Sequence, residues 1–133
     1  MIEVDVLGTE LAPDGPSPGE VRHLCVLATV SAGVEEGHLA IEYVDVGRIA
    51  QLNAEHRART GPTDVLSFPI DGATVQGEVP RELGDVMICP AHTADLREAI
   101  VHGVLHLVGM DHETDNGEML ALQARLLGRA EDS

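Results

Sequence analysis

Residues 102 to 112, His-Gly-Val-Leu-His-Leu-Val-Gly-Met-Asp-His, hold three of the chain's seven histidines in one short window. His102 and His106 are four apart, which on an α-helix sets them about 40° apart around the axis, so both imidazoles can reach one cation. His112 leaves that face if the helix continues. Gly109, however, is the residue type that ends a helix with positive φ and turns the chain back, and such a turn would bring a third imidazole over the first two. Three neutral nitrogen ligands leave one position of a tetrahedral Zn²⁺ open, which separates a catalytic zinc from a structural one. A zinc of that kind can polarise a phosphoryl oxygen and can lower the pKa of bound water from about 15.7 towards about 7. The plainer alternative is that the rings merely finish an apolar helix with Val101, Val104, Leu105, Leu107 and Val108. That would leave three titratable groups to be hydrogen-bonded or buried at a cost. A peptidase of the His-Glu-x-x-His kind needs a glutamate after the first ligand, and Gly103 stands there instead.

Other residues of the right type are less decisive. Asp111 suits the role of an acceptor that orients a ligand imidazole or holds the turn. Arg57 could grip a phosphate through its two-pronged guanidinium and stabilise transition-state charge, or simply pair in solvent with one of many acids. Arg59 and His56 read as solvated neighbours of the same rim. Ser67 and Asp85 could line a cleft but are ordinary for a strand and the start of one, and His23, His38 and His92 read as surface or satisfied histidines.

These groups need elements to position them. Ile2, Val4 and Val6 alternate with Glu3 and Asp5 over residues 1–7, the period of a half-buried strand. A Pro- and Gly-rich loop follows over 9–20, overlapping the start of a helix expected from 18 to about 31 with Glu20 near its positive end. Leu39, Ile41 and Tyr43 give a second strand. Asp45 is placed to cap a helix reaching about 56, and 57–63 reads as a loop because Gly61-Pro62 cannot continue it. Residues 65–68 make a short strand ended by Pro69, 71–83 a loop or weak hairpin, and 86–89 an apolar fourth strand introduced by Gly84-Asp85. The helical period returns from 91 through His106, and a last amphipathic helix spans about 115–127. The order β-α-β-α-β-β-α-α predicts one domain over 1–133, α+β or mixed α/β, a small sheet with helices around it and a zinc-binding helix plus turn.

Composition narrows the function. Aromatics make up 2% of the chain, so a nucleic-acid module that stacks bases on aromatic platforms is disfavoured. The formal charge is −15, and all 8 basic residues are arginine. With no lysine, phosphate-loop lysines and Schiff-base chemistry are excluded. So acidic a surface repels polyanions, and any nucleic-acid contact must be local or helped by a basic partner. Cys25 and Cys89 form no Cys-x-x-Cys pair and should be reduced and inert. The N-terminal residues lack the basic flank of a secretion signal and no segment is apolar for long enough to span a bilayer, so a cytoplasmic protein is expected.

Three stretches, in the same order along the chain as in the family, resemble the YbeY family of bacterial single-strand-specific endoribonucleases of rRNA maturation. The most specific is the 102–112 window, similar to the family's zinc-binding signature. Leu52-Asn53 through Arg57 to Pro62-Thr63-Asp64-Val65-Leu66-Ser67-Phe68-Pro69 resembles a second motif, and Leu83-Gly84-Asp85-Val86-Met87-Ile88-Cys89 a third. The resemblance implies a mixed four-stranded sheet with surrounding helices, one zinc held by His102, His106 and His112, and an important arginine at Arg57. It implies work at the 3′ end of small-subunit rRNA and in RNA quality control, with a ribosomal protein and a ribosome-assembly GTPase as partners. Gly61 stands where the family commonly has lysine. Two rival readings remain: a non-catalytic ribosome-assembly factor with structural zinc, and a zinc hydrolase of another substrate such as a peptide.

Overall fold

The computed structural model describes residues 2–57, 61, 63–69, 82–109 and 117–132. The alternation at the start of the chain forms strand β1, Ile2–Leu7. A 3₁₀ turn at Thr9–Leu11 leads to helix α1, Pro18–Ser31. The start of α1 is strongly specified: Ser17 Oγ accepts from the Glu20 amide, the Glu20 carboxylate accepts from the Ser17 amide, and Pro18 occupies the first turn. Strand β2, Gly37–Tyr43, follows, then helix α2, Val46–Arg57, whose first turn is capped by Asp45 Oδ1 accepting from the Arg48 amide at 2.8 Å.

Strands β3, Val65–Pro69, and β4, Glu82–Ile88, complete a four-stranded sheet of order β1-β2-β4-β3. β1 and β4 both run parallel to β2, and β3 is the antiparallel edge. Mixed pairing of this kind matches the fold expected from the sequence. β4 begins at Glu82, earlier than expected, because Gly84 continues the strand instead of turning it. Gly84 lies opposite Pro69 with φ 127°, and a Cβ there would overlap the Phe68 carbonyl oxygen, so only glycine lets the two strands close up. Leu83 is the extra residue of an irregularity opposite His38 and Leu39.

Helix α3, Leu96–Leu107, also starts later than the apolar period suggested. Pro90–His92 is a 3₁₀ turn, and α3 begins where Asp95 Oδ1 accepts from the Glu98 amide at 3.2 Å. The last helix is α4, Glu118–Asp132. The 71–83 segment read as a loop lies outside the described residues up to 81.

Register decides which element each strand face meets. Val4, Leu39, Ile41, Val86 and Ile88 share the main core with Leu24 and Ala28 of α1, Ile100, Val104 and Leu105 of α3, and Met119 and Leu126 of α4. On the opposite face Ile49 and Leu52 of α2 pack with Leu66 and Cys89, and with Phe68 and Met87. The edge strand β3 is therefore shared: Ser67 looks to α3, while Leu66 and Phe68 look to α2. Cys25 and Cys89 are buried and free, and burial pushes the Cys25 thiol up to about 12. No helix among the described residues is long and apolar enough to cross a membrane.

Candidate metal centre

Helix α3 can lie close to the sheet because Gly103 has no side chain. A Cβ there would stand 2.5 Å from Val86 Cγ1 and 3.2 Å from Val65 Cγ2. The position that a peptidase would give to its glutamate thus faces packed strand, and the peptidase arrangement has no room. Ser67 Oγ donates to the Gly103 carbonyl at 2.8 Å, so this serine ties β3 to α3.

His102 and His106 flank that anchor, both half-buried. Their Nε2 atoms are 3.2 Å apart, with ring centroids 4.7 Å apart and ring planes at 72°. Two nitrogens bound to one tetrahedral zinc at about 2.0–2.1 Å would stand about 3.3–3.4 Å apart, so the pair fits two ligands of one ion with almost no movement. With no cation between them, one of the two nitrogens must carry a proton; with one, both present lone pairs. The expected helix ending is also present: Val108 is the C-cap, and Gly109 turns the chain at φ 101° with its amide donating to the His106 carbonyl at 3.0 Å. His112 and Asp111 lie outside the described residues. Among the described residues, no group of three His, Cys, Asp or Glu side chains is placed to hold an ion.

A partner that the sequence reading did not anticipate comes from α4. Gln123 Oε1 accepts a hydrogen bond from His102 Nδ1 at 2.9 Å. The available signal was a polar residue at the centre of the Met119, Leu122, Leu126 stripe, which the amphipathic pattern of α4 does not require.

Among the described residues singled out, His56, Asp85, His23, His92 and His38 do not join the pair. Arg57 is the last residue of α2, and its side chain lies outside what is described, as does Arg59. His56 is exposed and meets Phe68 edge-on, with centroids 4.8 Å apart. Asp85 shares the face of Phe68 and so points away from α3. Burial pushes its carboxyl up, the nearby Glu82 charge adds to this, and His38 opposes it. His23 and His92 are exposed, and His38 is held between Asp5 and Glu82.

The sequence matches the family described as Endoribonuclease YbeY over residues 20–131. The chain belongs to the endoribonuclease YbeY family. Among its relatives, Endoribonuclease YbeY of Rubrobacter xylanophilus is 37% identical over 130 residues, 93% of each chain. That of Salinispora tropica is 41% identical over 140 residues, covering 84% of this chain and 89% of the relative. A solution structure of a Thermotoga maritima protein superposes with a TM-score of 0.53 at 23% identity, over 96% of this chain and 88% of that one, and shares its fold. The YbeY match takes in α3 and α4 together, including both partners of the Gln123–His102 contact.

Proposed function

We propose that this chain is a zinc-dependent endoribonuclease of single-stranded RNA, acting as one domain at the 3′ end of small-subunit rRNA and in ribosome quality control. The observation that carries the reading is the 3.2 Å approach of two imidazole nitrogens on one helix, in a chain of this family. His102, His106 and His112 would hold the ion, which when bound supplies Lewis acidity towards a phosphoryl oxygen and towards water. The α3 anchor at Gly103 and Ser67 keeps the two helical ligands fixed, so little reorganisation is needed when substrate arrives. Arg57 would give a bidentate grip on a phosphate and offset the charge that builds on it. Because the chain carries −15 and no lysine, most of the attraction to rRNA must come from that local pairing and from basic partners. A ribosomal protein and a ribosome-assembly GTPase in the cytoplasm fit that need.

The experiment is to offer zinc-loaded protein a single-stranded RNA, the same sequence as a duplex, and a casein-derived peptide. Cleavage of the single strand alone, lost with EDTA and regained with zinc, is expected. Zinc binding without RNA cleavage would instead favour the non-catalytic assembly factor, and peptide cleavage the other hydrolase.

A further inference from the structure

We propose that Gln123 is a positioning residue for the metal centre: from α4 it fixes the His102 imidazole in the orientation and tautomer that a metal ligand needs. The inference rests on the reading that His102 and His106 hold a metal, and it adds a residue on a different helix to that site.

Gln123 is buried at 8% exposure between Met119 and Leu126, both fully buried. A glutamine in that stripe gives up its water, and leucine would serve the packing better, unless the amide has a specific partner. Its partner is the His102 ring, at 2.9 Å from Oε1 to Nδ1. An amide oxygen can only accept, so the proton sits on His102 Nδ1 and Nε2 presents a lone pair. That is the nitrogen 3.2 Å from His106 Nε2. One hydrogen bond therefore does two things: it stops the ring rotating away from His106, and it selects the tautomer whose outward nitrogen can bind a cation. Metal-bound histidines generally have such an acceptor on the far nitrogen, and losing it weakens metal binding by about 10–100-fold. Asp111, the acceptor that the sequence suggested, is next to His112; Gln123 serves His102 from 21 residues away along the chain. The docking of α4 is thereby coupled to the metal centre.

The test uses the full chain as wild type, Gln123→Met and Gln123→Glu. Methionine keeps the length and removes the acceptor, whereas glutamate is an acceptor only. Zinc affinity is measured by competition with a chromophoric chelator and ligand geometry by the visible spectrum of the Co²⁺ form. Thermal unfolding in EDTA reports the fold without metal. Gln123→Met should bind zinc about 10–100-fold more weakly with an altered Co²⁺ spectrum and a cooperative transition in EDTA, and Gln123→Glu should bind within about threefold of wild type. Equal zinc affinity in wild type and Gln123→Met overturns the inference while leaving the metal site standing. So does a loss in Gln123→Glu as large as in Gln123→Met. A wild type that binds no zinc overturns the metal reading and this inference together. Long-range ¹H–¹⁵N spectra of the wild type, which need no variant, should show His102 protonated at Nδ1; protonation at Nε2 instead overturns the proposal.

Discussion

Ser67 on β3 and Gly103 on α3 are joined by a hydrogen bond in which the hydroxyl donates to the helix carbonyl at 2.8 Å, between the two histidines in sequence. This contact and the missing side chain at Gly103 set the height of the histidine-bearing helix above the sheet. Two effects compete in Gly103→Ala. Helix propensity favours alanine by about 1 kcal/mol, while the new methyl meets Val86 Cγ1 at 2.5 Å. Overpacking costs about 1–3 kcal/mol and strikes a buried strand residue that cannot swing away. Net destabilisation is expected, read as a lower urea midpoint at unchanged m-value. A variant as stable as wild type or more so would show that α3 does not press on the sheet.

His38 bridges three strands. Its Nε2 is 2.8 Å from Asp5 Oδ2 on β1, and its Nδ1 is 2.7 Å from Glu82 Oε2 on β4. The hydrogen bond to Asp5 is the main cause of a raised imidazole pKa, opposed by partial burial and reinforced by Glu82. Because the folded value lies above the unfolded value of about 6.5, this contribution is fully present below about pH 6.5 and is lost as pH rises through the folded value. The stability gap between wild type and His38→Gln should therefore be larger at low pH than at high pH. Denaturation at a series of pH values measures it, and a gap that grew with pH would contradict the pairing.

The sequence carried the strands and helix starts that obey local rules. Glu20 in the first turn of α1, Asp45 and the alternation in β1 each mark their element without help from the rest of the chain. The early start of β4 was hidden because Gly84 there answers to the neighbouring strand, and a glycine read alone suggests a turn. The helical histidine pair was legible from spacing. Gln123 was not, since its partner is far away in sequence, and a polar residue in an amphipathic stripe says only that something must satisfy it.

Metal binding should be visible as stability. A ligand at about a hundredfold its dissociation constant stabilises the native state by about 2.7 kcal/mol. Zinc is expected to raise the thermal midpoint of the wild type by several degrees and EDTA to reverse it. His106→Ala, which removes one of two nitrogens 3.2 Å apart, should abolish the increment. An increment retained in His106→Ala would place the zinc elsewhere.

Asn53 and Arg57 separate fold from chemistry on α2. Asn53 is buried, and its Nδ2 donates to the Gly61 carbonyl at 2.9 Å, pinning the chain that follows Arg57. Its Oδ1 is buried with no partner among the described residues, so the side chain is held by its donor end. Asn53→Ala removes this hydrogen bond to an exposed carbonyl and should cost about 0.5–1.5 kcal/mol. Asn53→Asp should cost more, because it sets an acceptor against an acceptor. Arg57→Ala should leave the unfolding free energy from urea titration within about 0.5 kcal/mol of wild type. If its guanidinium stabilises developing phosphate charge, cleavage of single-stranded RNA falls about 10²–10³-fold. Urea titration and cleavage rates on the same preparations make the comparison. Unchanged cleavage in Arg57→Ala would remove the arginine from the mechanism, whereas loss of both stability and cleavage would make it structural.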